Sequence, residues 1–265
     1  MVARYGMPHA PPLGFLAWRY ALSLAAFALW IAWSRPAWPR GGAQWLHLAV
    51  TGALIHGGYL GGVWAAVKEG IPAGTVALIV GLQPVLTAVW VSASGAEHRV
   101  SASRWLGLAL GLAGLLLVVW RKLGVGEVTA ANLVLSLFAL LSITVGTLYQ
   151  KRFVTACDVR TANTVQLAAA LAVTAPLALL ESEPIRLHPE LVGALAWSVL
   201  VLTLGGSSLL YLLIQRGAAT RVTSLLYLVP PCTALLAWLL FGEPLSAAVI
   251  AGLALTAIGV SLVVR

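Results

Sequence analysis

The residues that could do chemistry in this sequence are the few polar side chains that interrupt long apolar stretches. Arg19 is the one permanently charged residue inside such a stretch. Its guanidinium could snorkel to a membrane interface, pair with a helix end, or meet an anionic group of a ligand. His56 lies in the sequence His56-Gly57-Gly58-Tyr59, where a neutral imidazole can donate and accept hydrogen bonds. Both a satisfied packing histidine and a proton carrier fit that position.

Two prolines lie inside apolar stretches in which they would disturb a helix. A proline lacks the backbone N–H and displaces the carbonyl four residues earlier, so Pro84 frees the carbonyl of Val80, and Pro230 frees that of Leu226. Freed carbonyls can bind a ligand or flex between states, but a static kink is an equal alternative. We expect a kinked helix at each proline.

Aromatic and polar side chains near these positions are further candidates for a ligand-binding site. Trp64 and Tyr211 have matched positions in two apolar stretches and could flank an apolar solute, or simply pack. Most of the 11 tryptophans, among them Trp38, Trp45 and Trp120, fit an interfacial belt. The other candidates that we expect to line a cavity are Tyr59, Gln83, Thr144, Thr147, Ser207 and Tyr227.

The stretches that carry these residues are long enough to be membrane helices. Hydrophobic residues make up 60% of the 265 and charged residues only 9%, against about 45–50% and about 25% in soluble domains. Lipid offers the backbone no hydrogen-bond partner, and uninterrupted apolar runs exclude alternating barrel strands. The sequence therefore predicts an all-α polytopic membrane protein with nine spans, at 13–33, 45–67, 71–94, 105–120, 128–150, 161–180, 191–215, 222–242 and 245–264.

Positive charge in the loops predicts how the chain is oriented. Cytoplasmic loops retain the excess of Lys and Arg. One alternate set of loops holds ten such residues, namely Arg35, Arg40, Arg99, Arg104, Lys151, Arg152, Arg160, Arg216, Arg221 and Arg265. The other set holds five, namely Arg4, Lys68, Arg121, Lys122 and Arg186. We expect the first set and the C-terminus to be cytoplasmic.

An internal repeat explains the odd number of spans. Glu97 and Glu243 each follow a proline-containing span and precede a glycine-punctuated one, with Gly107 and Gly114 or Gly252 and Gly259. An offset of 146 or 147 residues also matches Arg19 to Gln166 and Lys68 to Gln215. We expect a first repeat at 1–122 with four spans, lacking a first helix, and a second at 128–265 with five. Five-helix copies insert with opposite orientations, which is typical of carriers with a central site.

The motifs of both repeats resemble those of the EamA-type branch of the drug/metabolite transporter superfamily. The resemblance rests on Leu82-Gln83-Pro84-Val85-Leu86-Thr87-Ala88, Tyr227-Leu228-Val229-Pro230-Pro231-Cys232-Thr233-Ala234, Gly242-Glu243 and Ala17-Trp18-Arg19-Tyr20. It implies a ten-helix inner-membrane exporter of amino acids or other small metabolites, with both termini cytoplasmic. Relative to the family pattern, we expect this chain to lack the first of the ten helices.

Other functional classes have little support in the sequence. All eight carboxylates lie outside the spans, and neither a Ser-His-Asp arrangement nor a metalloprotease or phosphate-binding motif is present, which disfavours a membrane enzyme. A channel would require charged rings or a carbonyl filter. We expect a transporter that needs no cofactor or metal and binds no nucleic acid. Its Gly57, Gly61, Gly107, Gly111 and Gly114 suit close helix packing or a homodimer.

Overall fold

The protein is a bundle of helices in the computed structural model, which describes residues 2–93, 102–124, 127–209, 229–242 and 245–264. No strand occurs within these ranges. Five helices are long and apolar enough to cross a membrane, and four shorter apolar segments complete the nine predicted spans. The helices are α1 (Val2–Gly6), α2 (Pro12–Ser34), α3 (Gly42–Lys68), α4 (Ala73–Val80), α5 (Gln83–Ala93), α6 (Ala102–Gly124), α7 (Ala130–Phe153), α8 (Val159–Ala178), α9 (Pro189–Ser207), α10 (Val229–Phe241) and α11 (Ala247–Val264).

Two of the long helices contain a widened, π-helical segment. In α3 this segment is Ala53–Leu60, and in α9 it is Trp197–Ser207. Each contains a glycine pair, Gly57-Gly58 or Gly205-Gly206. At an offset of 147 residues the first segment falls within the second, so the irregularity is a shared property of the two repeats. π-Helical turns are rare and are often found at functional sites.

The third predicted span is two helices rather than one kinked helix. Helix α4 ends at Val80, the chain turns through Gly81 and Leu82, and α5 begins at Gln83. The Leu82 N–H bonds the Ile79 carbonyl at 3.1 Å, which tightens the last turn of α4. Pro84 therefore lies in the first turn of α5, where its missing N–H costs nothing. The disturbance expected at Pro84 takes the form of a two-residue turn between α4 and α5.

The polar loops gather at two opposite ends of the bundle. At one end, which we call the Glu181 end, the Glu181 carboxylate accepts from the N–H groups of Leu13 and Gly14 and so caps α2. Lys68 pairs with Glu183 at this end. Asn132 also donates to the Glu69 and Glu127 carbonyls there.

At the opposite end, which we call the Asp158 end, the first turn of α3 and the loop before it contact the first turn of α8 and the loop before it. The Gln44 side chain and the Thr155 backbone exchange two hydrogen bonds, and Thr161 donates to the Ala37 carbonyl. Lys68 and Arg186 thus lie at the Glu181 end, whereas Arg35, Arg40, Lys151 and Arg152 flank the loops of the Asp158 end. This is the two-set division that the loop charges predicted.

Helices α6 and α11 cross in antiparallel orientation through glycines. A Cβ atom on Gly114 would lie 2.6 Å from the Gly252 carbonyl oxygen, and one on Gly259 would lie 2.5 Å from that of Gly107. Gly107 and Gly114 of α6 thus face Gly259 and Gly252 of α11, in reverse order along the chain. The same antiparallel arrangement brings the Ser103 hydroxyl to the Leu262 carbonyl, to which it donates at 3.5 Å. These helices occupy matched positions in the two repeats, so their antiparallel crossing is the geometry of an inverted duplication.

The outer surface of the bundle is apolar, as a lipid environment requires. Leu29 and Trp33 on α2 and Trp120 on α6 are each at least 75% exposed. Trp38 and Trp45 stack on each other at the Asp158 end, and the Trp45 indole donates to the Pro39 carbonyl at 3.0 Å. An amphipathic ring with its polar edge satisfied is typical of the membrane interface. Within the described residues the structure confirms a polytopic all-α membrane protein, with five helices of membrane-spanning length and four shorter apolar helices.

Candidate functional site

Arg19 is buried in the bundle and is held by a residue of the other repeat. It is the eighth residue of α2, about 10 Å along the helix at 1.5 Å per residue. Only 8% of the residue is exposed. Its Nε and Nη2 atoms donate to Thr203 Oγ1 on α9 at 3.3 and 3.2 Å. Because the guanidinium is buried against α9, Arg19 does not snorkel to the interface.

His56 is the second polar residue at this level, in the π-helical segment of α3. Its backbone carbonyl accepts a hydrogen bond from the Tyr20 hydroxyl at 2.6 Å, and the two rings meet edge to face. The imidazole interacts with the Gln166 side chain on α8. Tyr20, His56 and Tyr59 are also close enough to interact electrostatically with Arg19. We call Arg19, Tyr20, His56, Tyr59, Gln166 and Thr203 the inner polar cluster.

The two cross-repeat contacts of the cluster are related by the internal duplication. The offset of 147 residues that matches Arg19 to Gln166 also matches His56 to Thr203. Arg19 on α2 contacts Thr203 on α9, and the repeat-matched pair, Gln166 on α8 and His56 on α3, also interacts. Polar side chains at matched positions of inverted repeats are where a carrier's site is expected.

The broken span contributes a second polar contact. Gln83 Nε2, at the start of α5, donates to Thr147 Oγ1 on α7 at 3.0 Å. Thr147 Oγ1 itself bonds the Ile143 carbonyl, and Thr144 Oγ1 bonds the Leu140 carbonyl. The structure therefore brings Gln83 and Thr147 together at the break between α4 and α5. Thr144 is buried on the same helix with its hydroxyl satisfied by its own backbone.

Some predicted site residues lie apart from this cluster. Trp64 is 4% exposed and stacks on Phe15 at a centroid distance of 4.3 Å, the packing contact that was one of its two interpretations. Ser207 donates to the Leu202 carbonyl within its own helix. Pro230 is the second residue of α10. Tyr211, Tyr227, Glu97 and Glu243, as well as the Leu226 carbonyl, lie outside the described residues.

A salt bridge defines the electrostatics of the Asp158 end. Asp158 caps α8 through the Arg160 N–H at 2.9 Å, and its carboxylate also binds the Arg160 guanidinium, with Oδ2 2.7 Å from Nη2. The hydrogen bond from the Arg160 side chain is the main cause that lowers the pKa of Asp158 below its usual value. The Arg160 guanidinium lies 5.8 Å from the centroid of a Trp30 ring. This network fixes the start of α8.

Three potential metal ligands meet at the Glu181 end, where the sequence predicted no metal. His9 stacks on His188, and His9 Nε2 lies 3.0 Å from Glu190 Oε2. The ligand atoms of His9, His188 and Glu190 lie within 4.8 Å of one another. His188 Nδ1 accepts from the Glu190 N–H and so caps α9. Since hydrogen bonds within the group account for its geometry, we assign it the structural role of joining the N-terminal segment to α9.

The comparisons with known proteins agree with this architecture. The EamA-like transporter family matches residues 1–120 and 131–265, and the chain belongs to that family. It is therefore a membrane transporter of the drug/metabolite transporter superfamily. A crystal structure described only as that of a protein is 17% identical, with a TM-score of 0.70 over 98% of this chain and 90% of that chain. That likeness shows a shared fold. No curated protein matches the sequence.

Sequence reasoning missed several members of the site. Thr203 was not singled out, although it is the repeat-matched position of His56. Tyr20 was identified only as a member of the motif Ala17-Trp18-Arg19-Tyr20. The sequence also gave no reason to single out Ser23 on α2 and Ser198 on α9, whose hydroxyls are buried without a partner in the described part of the chain, because serines in apolar helices usually bond their own backbone. Whether a buried serine hydroxyl has a hydrogen-bond partner depends on how the helices pack, which the sequence pattern does not encode.

Proposed function

We propose that this protein is a secondary carrier that exports small metabolites, such as amino acids, across the bacterial inner membrane by alternating access. The observation that carries the proposal is the pair of matched contacts, Arg19 with Thr203 and Gln166 with His56, which joins the two inverted repeats inside the bundle. A solute bound beside these contacts would interact with both halves. Rocking of one half against the other would then expose it to each side in turn.

Three irregular elements could absorb the motion. The break at Gly81 and Leu82 separates α4 from α5, and the π-helical segments of α3 and α9 border the inner polar cluster. Hinges are a few positions that absorb backbone change between packed elements. The larger number of Lys and Arg residues at the Asp158 end supports a cytoplasmic location for that end. The C-terminus would then also be cytoplasmic, because α11 ends beside the beginning of α6.

A counterflow assay tests the proposal. Purified protein is placed in liposomes that are loaded with an amino acid mixture, and the uptake of labelled leucine and phenylalanine is measured. A carrier gives saturable uptake that depends on the internal solute. Currents without saturation would indicate a channel, and the absence of both uptake and current would contradict the proposal. Protein-free liposomes are the control.

Any proton coupling has few possible routes. The spans contain no Asp or Glu, so a proton would have to pass through His56 or a loop carboxylate. We predict that His56→Gln, which keeps a hydrogen-bonding side chain, flattens the pH dependence of transport. His47→Gln is the matched control, because His47 bonds the Tyr149 hydroxyl at 2.8 Å towards the Asp158 end. An unchanged pH profile of His56→Gln would reject the His56 route.

A further inference from the structure

The Arg19 guanidinium has no carboxylate partner in the described part of the chain. The six carboxylates there lie at the two ends of the bundle, in the residues Glu69, Glu127, Asp158, Glu181, Glu183 and Glu190. An isolated buried cation is costly, because it loses its hydration without gaining an opposite charge. Among the described residues, the hydrogen-bond acceptor of Arg19 is the neutral Thr203 hydroxyl. The positive charge of Arg19 inside the bundle is therefore not neutralised by any carboxylate of the described residues.

The guanidinium retains unused donor capacity. It has five N–H groups, and Thr203 Oγ1 accepts one from Nε and one from Nη2. The remaining three have no acceptor among the described residues. The Thr203 hydroxyl directs its own proton to the Ser198 carbonyl at 2.9 Å, so it acts on Arg19 purely as an acceptor. One edge of Arg19 is anchored, and the rest of the planar fork is available.

Two further hydroxyls on the same two helices are buried without a hydrogen-bond partner in the described part of the chain. They belong to Ser23 and Ser198, which are each 0% exposed. Ser23 is one helical turn beyond Arg19 on α2, and Ser198 is one turn before Thr203 on α9. Other buried hydroxyls in the bundle bond the carbonyl four residues earlier, as those of Ser136 and Thr144 do. Both serine hydroxyls can therefore still donate a hydrogen bond. They lie on α2 and α9, the two helices that hold the guanidinium, and these helices pack together.

We propose that Arg19, with Ser23 and Ser198, forms a subsite for the carboxylate of the transported solute. A carboxylate matches the planar guanidinium with two parallel hydrogen bonds and supplies the missing negative charge. Its oxygens would also accept the serine protons. The inference rests on the proposed carrier function and adds a substrate class: the solutes are small carboxylic acids, including amino acids. It also gives the Thr203 contact a purpose, because the contact holds the fork in place.

The test compares solutes that differ in this one charge. Binding to purified protein is measured by thermal shift and calorimetry with leucine against leucinamide, phenylacetate against phenylacetamide, and glutarate against glutaramide. We expect at least one carboxylate to bind about tenfold or more tighter than its amide, the ratio that 1.4 kcal/mol represents. Arg19→Gln should reduce that ratio to near one. Arg35→Gln, an exposed cation that ends the same helix, is the control and should leave the ratio unchanged.

Two further variants separate binding from folding. Arg19→Lys retains the charge without the planar fork and should keep part of the preference. Thr203→Val removes the anchor but leaves the charge, and it should keep the preference for carboxylate while weakening binding. If Arg19→Gln folds and keeps the wild-type preference for carboxylate, Arg19 is a structural tether and the proposal is overturned. Wild-type protein that binds each amide as well as its carboxylate also overturns it.

Transport distinguishes failure of this inference from failure of the carrier function. Saturable transport of the amides that persists in Arg19→Gln would leave the carrier function intact and remove the carboxylate subsite. No saturable transport of any of the six solutes would count against both.

Discussion

Arg19 donates two hydrogen bonds to Thr203, 184 residues further along the chain, and so joins α2 of the first repeat to α9 of the second. The repeat-matched pair, Gln166 on α8 and His56 on α3, also interacts. Of the two pairs, only Arg19 with Thr203 contains a permanent charge. The two repeats thus supply matched contacts, of which only one is charged. We place the carboxylate of the solute at the charged contact, beside Arg19.

The glycine crossing of α6 and α11 should be intolerant of even one methyl group. In Gly114→Ala the new Cβ would meet the backbone oxygen of Gly252 at 2.6 Å, so the helices must separate. We expect a loss of about 1–3 kcal/mol in unfolding free energy, as in overpacked cores. The measurement is the thermal midpoint in detergent. Gly193→Ala on α9, where a Cβ meets nothing within 4 Å, is the control and should be neutral or slightly stabilising. Equal midpoints for the two variants would contradict the crossing.

Replacing Pro84 should tend to fuse the two halves of the broken span. In Pro84→Ala the restored N–H can bond the Val80 carbonyl, which favours a continuous helix through Gly81 and Leu82. We predict an unchanged or higher thermal midpoint together with a several-fold lower rate of solute uptake. Pro176→Ala is the matched control, because Pro176 lies inside the unbroken helix α8 and is exposed. Equal uptake rates in the two variants would show that the break is not a hinge.

The Asp158 cap should make stability depend on pH in the acid range. The pKa of Asp158 is lowered in the folded protein, so its contribution is present above the unfolded pKa of about 3.9 and is lost as pH falls through the folded pKa. Asp158→Asn should therefore lower the thermal midpoint at pH 7, and the difference from wild type should shrink below about pH 4. The effect should stay under about 1 kcal/mol, since the pair is partly solvated.

The control for this prediction is Glu69→Gln, which alters an exposed carboxylate at the Glu181 end. The thermal midpoint of Glu69→Gln should equal that of the wild type at pH 7 and at pH 3. If the deficit of Asp158→Asn is as large at pH 3 as at pH 7, the ion pair with Arg160 is not its source.

The sequence predicted the architecture well because lipid imposes simple rules. Long apolar runs must be helices, and loop charges alternate, so the nine spans and the two polar ends followed from composition and spacing. The sequence did not predict the turn at Gly81 and Leu82 or the π-helical segments. Such local irregularities depend on which side chains pack against the helix. The pairing of Arg19 with Thr203 also depends on helix order in space. The inverted repeat could have predicted it from His56, had Gln166 first been placed beside that residue.

The inverted arrangement of the two repeats is the claim on which the carrier interpretation depends, and cysteine accessibility tests it most directly. Cys157 and Cys232 are replaced by serine, and single cysteines are introduced as Ser103→Cys at the start of α6 and Ala247→Cys at the start of α11; both sites are exposed. Each variant is labelled with a membrane-impermeant maleimide in right-side-out and in inverted vesicles. We predict reaction at position 103 only from the cytoplasmic face and at position 247 only from the outer face. Labelling of both positions from the same face would contradict the account.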